Sequence, residues 1–227
     1  MAIQVLSARL NSILDYALPA ACAGCGDEGA ALCPRCAKTL GARLALRPGV
    51  AMGLPSPAPL SLCQLEWCAP FSGPLRSALH QLKYSGERRL SVPLGASMAA
   101  RWRAAGAGGD LLVPVPVHAK RAQQRGYDQA VLLAAAVSER LSMPWLGALA
   151  RSRHTRPQFD LGRTARRTNV QGAFRIVGET QAARVNGNWI VLVDDVSTTG
   201  STLSACAAAL FDAGAIAVSA LTAARER

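Results

Sequence analysis

The sequence predicts an α/β protein, with a mostly parallel sheet flanked by helices and a small cysteine-rich module in front of it. Two observations predict the sheet. Short apolar runs alternate along the chain with alanine- and leucine-rich stretches at helical spacing, which is typical of strand–helix–strand units. The apolar runs also end in charged or hydroxyl-rich junctions, as strands do where a parallel sheet binds its ligand. A third observation, two Cys-x2-Cys pairs near the N-terminus, predicts the module.

Length, composition and charge limit the classes of protein to which the chain can belong. A chain of 227 residues accommodates one ordinary domain and a small module, and its 50% hydrophobic residues can bury a sizeable core. The net charge of +11 implies anionic partners, meaning phosphorylated ligands, nucleic acid or both. No apolar run approaches the ~20 residues of a membrane span. We therefore expect no membrane span and a cytoplasmic protein.

Shifts in composition divide the chain into three parts. Residues 1–45 are expected to hold an amphipathic helix followed by the four-cysteine module. Gly, Pro and Ala are frequent from residue 41 onward, and we predict a linker over 46–59. The main domain is then expected over 60–227.

Cys22, Cys25, Cys33 and Cys36 form the cysteine module. Each pair brings two thiolates within reach of one tetrahedral ion, and neighbouring Gly and Pro residues allow the tight turns. A module this small buries little apolar surface, so metal binding would supply most of its folding free energy. We predict a structural Zn²⁺ site, with a redox-active cysteine pair as the alternative.

The stretch Trp189–Thr202 is the most informative part of the chain. A short apolar run ends in Asp194 and Asp195, and a loop of small hydroxyl residues and glycine leads into an alanine-rich helical pattern. The start of a helix offers unpaired N–H groups and a partial positive charge, which suit a phosphate. Two carboxylates beside it suit sugar hydroxyls or a divalent metal ion. The stretch therefore predicts a site for a phosphorylated ribose.

A second junction between strand and helix is basic. An apolar strand predicted over 110–118 runs into a basic loop with Lys120, Arg121 and Arg125, and a helical pattern starts at Gln129. In a parallel sheet this order places the cations at the carboxyl edge, where ligands bind in open α/β folds. A solvated charged surface is the alternative interpretation of these residues.

Two further stretches are candidates for contact with an anion. Residues 151–167 hold six arginines, one His and one Asp, and are expected to be exposed. They could close over a phosphorylated substrate or touch nucleic acid, or form an ordinary charged loop. Lys83 and Tyr84 stand near the end of a helix predicted over 77–86, where they could reach an anionic ligand or simply belong to a capped helix.

These motifs resemble a known family. Residues 191–202 look like the phosphoribosyl pyrophosphate loop of type I phosphoribosyltransferases, and the whole chain is similar to the ComF family of competence protein F and GntX-like proteins. One departure is Asp128, where the family usually has Asn, and an extra carboxylate there is expected to weaken pyrophosphate binding. The motifs that carry the resemblance follow the family's order: the four cysteines, 82–86, 113–116, 125–129, Arg151-x5-Pro157-Gln158 and 167–174.

The resemblance implies a type I phosphoribosyltransferase-like fold and a Mg²⁺-dependent transfer of phosphoribosyl from phosphoribosyl pyrophosphate to an acceptor. Asp194, Asp195 and Arg167 would be catalytic, and the two aspartates would hold the ribose hydroxyls and orient Mg²⁺ through water. Residues 151–169 would correspond to a flexible loop over the site. The 5-phosphate would be held by Ser197, Thr198, Thr199, Gly200, Ser201 and Thr202, and the pyrophosphate by Lys120, Arg121 and Arg125.

A second class of function, binding without catalysis, is an alternative to the enzyme. The protein could sense phosphoribosyl pyrophosphate without catalysis, or handle single-stranded DNA during uptake, as the family name suggests. The basic charge permits DNA binding, although the tryptophans form no evident stacking platform. Because the chain ends just after its last predicted strand, we expect any acceptor pocket to come from residues before about Leu111. The residues themselves identify neither the acceptor nor an oligomeric state.

Overall fold

The computed structural model describes residues 20–49, 62–151 and 172–226, without the side chains of residues 119 and 120. Several predictions fall on other parts of the chain. The predicted N-terminal helix, most of the predicted linker, the arginine-rich stretch after Arg151 and the predicted catalytic Arg167 all lie outside the described residues.

Helices and short strands alternate along the described chain. The helices are α1 (Pro34–Lys38), α2 (Gly73–Tyr84), α3 (Ser91–Ala104), α4 (Ala119–Arg125), α5 (Gln129–Leu141), α6 (Glu179–Val185) and α7 (Ser201–Asp212), with 3₁₀ turns at Thr39–Gly41 and Arg88–Leu90. The strands are β1 (Leu65–Pro70), β2 (Leu111–Pro114), β3 (Leu149–Arg151), β4 (Phe174–Ile176), β5 (Trp189–Ser197) and β6 (Ala217–Arg225). None of the described helices combines the length and apolarity that crossing a bilayer requires.

The main sheet has the strand order β1–β6–β5–β2, and all three strand pairings are parallel. In the register of the central pair, Leu192 lies opposite Ala220. Strands β3 and β4 form a separate antiparallel pair. The predicted fold class, a mostly parallel α/β sheet flanked by helices, is confirmed.

Helices cover both faces of the sheet because alternate side chains of each strand are buried on opposite sides. From β5, Val191 and Val193 join a hydrophobic cluster with α2, α3 and α5, whereas Ile190 and Leu192 join a second cluster with α7. The sequence of a strand that is buried on both faces is a continuous apolar run, and residues 189–193, directly before Asp194, show this pattern.

The basic junction before Gln129 differs from the prediction. The sequence indicates a loop over 118–126, but residues Ala119–Arg125 form the short helix α4. Ala, Lys, Arg and Gln are all good helix formers, so local propensity favours this turn of helix. It ends at Gly126, whose φ of +73° is a conformation that glycine adopts readily.

The cysteine module packs on the first cluster of the main domain. Cys22, Cys36 and Leu40 belong to the same buried cluster as Leu75 of α2. Gly24 lies so close to α2 that a Cβ atom there would be 2.9 Å from Cβ of Pro74. The module and the sheet therefore share one core.

A buried ion pair holds the segment after the module. Arg101 of α3 lies 2.7 Å from the carboxylate of Glu66 on β1, and both side chains are fully buried. The Arg101 guanidinium also donates to the backbone carbonyls of Arg43, Leu46 and Arg47. The Arg43 guanidinium also lies 3.7 Å from the Glu66 carboxylate, so residues 43–47 are bound to the main domain through both arginines.

Candidate functional site

The carboxyl ends of β5 and β2 are neighbours, so the segments that follow them meet at one edge of the sheet. Helix α5 packs over both strands. The predicted acidic pair lies at the end of β5, and the predicted basic segment follows β2. The fold therefore brings together the two junctions that the sequence marks as candidate sites.

Asp195, on β5, contacts groups from two other elements. The ammonium of Lys83, at the end of α2, is 2.7 Å from Oδ2 of Asp195. The side-chain amide of Gln129, the first residue of α5, donates to the same oxygen at 3.2 Å. Asp195 itself is 5% exposed. A buried carboxylate with a cation and an amide at one oxygen is held in a fixed orientation.

Asp194 has a different environment. Its Oδ1 accepts a hydrogen bond of 2.8 Å from the backbone N–H of Asp195. Burial, reinforced by the negative charge of Asp195, raises the pKa of the Asp194 carboxyl well above its ordinary value. A cation bound between the two carboxylates would offset both effects. Paired carboxylate oxygens are suitable ligands for a hard divalent ion such as Mg²⁺.

The hydroxyl loop between β5 and α7 has the predicted geometry of a turn into a helix. Gly200 adopts φ +77°, and α7 begins at Ser201. The hydroxyls of Thr199 and Ser201 are 2.7 Å apart. The Ser197 hydroxyl is buried and has no hydrogen-bond partner among the described residues. Thr198 lies in the bend and Thr202 in the first turn of α7, so all six predicted phosphate-binding residues follow one another at the end of β5.

A cavity of about 630 Å³ opens beside Asp195. It lies between the end of α2, which contributes Lys83, Tyr84 and Gly86, and the α4 region, which contributes Arg121, Gln124, Arg125 and Tyr127. None of these seven described residues carries a carboxylate. The cavity is thus cationic, and it contains Arg121 and Arg125, two of the three residues predicted to bind pyrophosphate. The third, Lys120, lies in the first turn of α4.

Gln129 connects this cavity to the acidic pair. Its side-chain oxygen accepts a 2.7 Å hydrogen bond from the guanidinium of Arg125, while its amide nitrogen donates to Asp195. Gln129 is only 4% exposed. Sequence reasoning named it within a family motif but assigned it no role. Its position at the start of a predicted helix, directly after a basic segment, was the sequence signal that could have identified it.

Asp128, the departure from the family pattern, caps α5. One of its carboxylate oxygens accepts from the backbone N–H of Ala130 at 2.8 Å, and the other accepts from that of Val117 at 3.1 Å. Burial raises the pKa of this carboxyl, and the nearby charge of Asp195 acts in the same direction. Both oxygens are therefore engaged with the backbone, and the carboxylate stabilises the start of α5.

Arg151 marks the place where the predicted flexible loop begins. It ends β3, and its guanidinium lies 5.5 Å from the centre of the Phe174 ring on β4. Burial lowers the pKa of Arg151, and the charge of Asp194 partly opposes that shift. Arg151 is thus held against β4 at the point where the arginine-rich stretch begins.

The four module cysteines converge, with sulfur atoms all within 4.8 Å of one another. The Cys22 sulfur accepts from the backbone N–H groups of Gly24 and Cys33 at 3.4 and 3.3 Å. Although burial alone would raise the pKa of the Cys22 thiol, backbone hydrogen bonds from Cys33, Cys25 and Gly24 lower it to about 6. Burial and the neighbouring thiols raise the pKa of Cys36 to about 12. Four converging sulfurs could hold a metal ion.

The chain is similar to known bacterial proteins. No family model matches it. It is 34% identical over 161 residues to DNA utilization protein YhgH of Escherichia coli K12, covering 68% of this chain and 69% of that protein. The chain belongs to the ComF family. It is also 39% identical over 99 residues to competence protein F of Haemophilus influenzae, covering 42% of this ComF chain and 41% of that protein.

The solved structures that this ComF chain resembles include a glutamine phosphoribosylpyrophosphate amidotransferase from B. subtilis. That match has a TM-score of 0.42 and 19% identity, and it covers 63% of this chain and 30% of the enzyme's chain. The ComF chain therefore spans about three tenths of that enzyme.

Proposed function

We propose that this ComF-family protein binds phosphoribosyl pyrophosphate together with Mg²⁺ at the carboxyl edge of its sheet and transfers the phosphoribosyl group to an acceptor. One observation carries the proposal. The buried carboxylate of Asp195 stands between a hydroxyl-rich turn into α7 and a cavity lined by Lys83, Arg121 and Arg125. A ligand with a phosphate at one end, a diol in the middle and a pyrophosphate at the other matches that order of groups.

The 5-phosphate is assigned to the turn at the start of α7. Hydroxyl groups and backbone N–H groups at a helix start are suitable donors for a phosphate. The buried Ser197 hydroxyl, 3% exposed, would gain a hydrogen-bond partner there. The residues proposed to hold the phosphate are Ser197, Thr198, Thr199, Gly200, Ser201 and Thr202.

The pyrophosphate is assigned to the cavity, with Arg121 and Arg125 as its cations. Lys120, in the first turn of α4, is the third residue proposed to bind it. The hydrogen bond to Gln129 holds the Arg125 guanidinium in place before a ligand arrives. Preorganised cations of this kind stabilise the negative charge that develops on a leaving group. No covalent protein nucleophile is needed for the displacement.

The ribose hydroxyls and Mg²⁺ are assigned to Asp194 and Asp195. The two carboxylates suit a divalent ion that retains part of its water shell, and such an ion neutralises charge on the departing pyrophosphate. The anionic carboxylates also favour positive charge on the sugar. Arg167, which lies outside the described residues, is proposed as a further catalytic residue.

Zn²⁺ is the ion proposed for the cysteine module. Four cysteines complete a tetrahedral set and leave no open position for a substrate, so the site would be structural. Its role would be to stabilise the fold beside α2.

The experiment is a thermal-shift titration with phosphoribosyl pyrophosphate and Mg²⁺. We expect the ligand to raise Tm, and the double variant Asp194→Asn/Asp195→Asn to lose the shift. Asp212→Asn/Glu139→Gln is the matched control, because it removes two carboxylates at exposed helix positions away from the site. An undiminished shift in the Asp194/Asp195 variant would place the ligand elsewhere. Transfer is tested with a metabolite pool, by released pyrophosphate and new ribosylated masses.

Binding of single-stranded DNA is the second candidate function. The relatives are named for DNA utilization and competence, and the net charge of +11 favours a polyanion. Affinity that rests on phosphate contacts falls steeply as salt rises. Filter binding of an oligonucleotide across a salt series tests this, and an absence of binding at low salt would remove the candidate. A sensor that binds phosphoribosyl pyrophosphate without transfer would show the thermal shift and release no pyrophosphate.

A further inference from the structure

One exposed face of α2 combines aromatic rings with cations. We propose that this face binds single-stranded DNA by stacking bases on the rings of His80 and Tyr84, outside the phosphoribosyl site and at the same time as the ligand of that site. The inference rests on the second candidate function, binding of single-stranded DNA, and assigns it a surface and a mode of contact. The spacing of the side chains, their ring contacts and the surrounding charge support it.

Three exposed side chains follow one another along α2. Arg76, His80 and Tyr84 are four residues apart, and all three are exposed, Tyr84 by 66%. Residues at this interval lie on the same face of a helix, ~6 Å apart along its axis. A single strand that runs along the helix therefore meets a ring or a cation at each step.

The α2 strip consists of Phe71, Arg76, His80, Tyr84 and Arg125, and ring contacts connect its members at both ends. The centres of the His80 and Tyr84 rings are 4.8 Å apart, and the ring planes are inclined by 49°. The Arg76 guanidinium lies 6.0 Å from the centre of the Phe71 ring. The Arg125 guanidinium lies 5.0 Å from that of Tyr84. Aromatic rings flanked by arginines are the groups on which the bases of single strands stack, with little preference for sequence.

The charge around the α2 strip suits a polyanion. Helix α2 contains no acidic residue, so Arg76 stands beside no carboxylate of its own helix. Two carboxylates of the described chain lie near the end of α2, and both are paired with cations. Asp195 lies 2.7 Å from the ammonium of Lys83. Glu87 lies 2.6 Å from the guanidinium of Arg89. A phosphate backbone along α2 therefore meets cations and little opposing charge.

The α2 strip borders the cavity assigned to pyrophosphate but extends well beyond it. Of its five residues, all of them described, only Tyr84 and Arg125 line that cavity. Arg76 precedes Tyr84 by eight residues, which places it ~12 Å away along the helix axis. A strand held on the outer part of the strip leaves the cavity accessible, so the two ligands bind together.

Fluorescence anisotropy with a short labelled DNA strand of mixed sequence tests the proposal on the full chain. We expect Tyr84→Ala and His80→Ala each to weaken binding about fivefold or more, the effect of losing one stacked base. Tyr84→Phe keeps the ring and should bind within about twofold of the natural protein. Phe211→Ala is the matched control, because it removes a partly exposed ring from α7 on the opposite face of the sheet. It should also stay within about twofold.

Two further measurements separate stacking from charge. A strand of the same length without bases keeps its phosphates but offers nothing to stack, and we expect it to bind at least tenfold more weakly. Arg76→Gln should reduce the slope of log affinity against log salt by about one, the contribution of one phosphate contact. Arg184→Gln, which removes an exposed arginine from α6, should leave that slope unchanged.

Equal affinity for strands with and without bases would overturn the inference, as would ring variants that bind like the Phe211→Ala control. If the strand still binds with a steep salt dependence in that case, the candidate function stands and only the surface is wrong. If no strand binds at low salt, both fail. Saturating pyrophosphate and Mg²⁺ at matched ionic strength should leave the strand bound, and its displacement would place the strand in the cavity and contradict simultaneous binding. The thermal shift with phosphoribosyl pyrophosphate tests the other site alone.

Discussion

The ammonium of Lys83 lies 2.7 Å from Oδ2 of Asp195, the oxygen that also accepts a hydrogen bond from Gln129. Lys83 lines the cationic cavity as well, so one side chain contacts both the acidic pair and the cavity. A divalent ion at Asp195 must compete with this ammonium. Once displaced, the ammonium is free to pair with an anion in the cavity, which links the binding of a metal ion to that of an anion.

Lys83→Met should therefore have opposite effects on the binding of a metal ion at the acidic pair and of an anion in the cavity. Removing the competing ammonium should strengthen Mn²⁺ binding at the acidic pair about fivefold, which corresponds to ~1 kcal/mol for a partly buried charge pair. The same change should weaken pyrophosphate binding, because the cavity loses a cation. Electron paramagnetic resonance of free Mn²⁺ and calorimetry with pyrophosphate measure the two affinities.

Lys38→Met is the control for this variant, since Lys38 is an exposed lysine of α1 in the cysteine module. It should change neither affinity. Weaker Mn²⁺ binding in Lys83→Met would mean that the lysine supports the acidic pair instead of competing for it.

The raised pKa of Asp194 predicts a pH-dependent stability. Burial and the charge of Asp195 disfavour the ionised form in the folded protein, so stability is lost as pH rises from the ordinary aspartate range through the raised pKa. Asp194→Asn removes this cost. Its free energy of unfolding at pH 7.5 should exceed that of the natural protein.

Urea unfolding at pH 4 and pH 7.5 measures that difference. At pH 4 the advantage of Asp194→Asn should nearly vanish, because the natural carboxyl is then largely protonated in the folded state. An advantage that is larger at pH 4 than at pH 7.5 would contradict the sign of the shift.

The fold was predictable because its signals are local. Strand β5 is buried on both faces, so its apolar run is visible in the sequence, and the acidic pair and hydroxyl loop follow it without interruption. The ends of elements were less predictable. The helix predicted from residue 77 begins earlier, at Gly73, because Pro74 suits a first turn, and the predicted loop before Gln129 is the helix α4.

The contacts of the site were predictable only in part. The cysteine spacing predicted that the four sulfurs converge, and they do. The basic strand junction singled out Arg121 and Arg125, which line the cavity, and their role there stays a prediction. The pairing of Lys83 with Asp195, and the bridge through Gln129, join residues that are far apart in the sequence. Such pairs depend on how helices pack on the sheet, and a single sequence carries no signal of that packing.

Arg101→Met tests the buried ion pair under the cysteine module. The change leaves the fully buried carboxylate of Glu66 without its main partner and frees the carbonyls that Arg101 binds. Breaking a buried pair by removing one partner costs about 3–5 kcal/mol. Chemical denaturation should show a loss of that size, and Arg103→Met, an exposed arginine on the same helix, should lose less than about 1 kcal/mol.

Gly24→Ala tests whether the cysteine module and the main domain fold together. An added Cβ would lie 2.6 Å from Sγ of Cys36 and 2.9 Å from Cβ of Pro74, so it strains the sulfur cluster and the contact with α2 at once. We expect weaker Zn²⁺ binding, measured with a chromogenic chelator, and a lower Tm of the whole chain in calorimetry. Gly147→Ala is the control, because nothing lies within 4 Å of a Cβ at that position.

Removal of the metal ion is a second test of the same coupling. Since Cys36 and Leu75 share one hydrophobic cluster, removal of the metal should lower the Tm of a single unfolding transition. Two separate transitions, with the larger one unchanged by the chelator, would show that the module folds independently of the sheet.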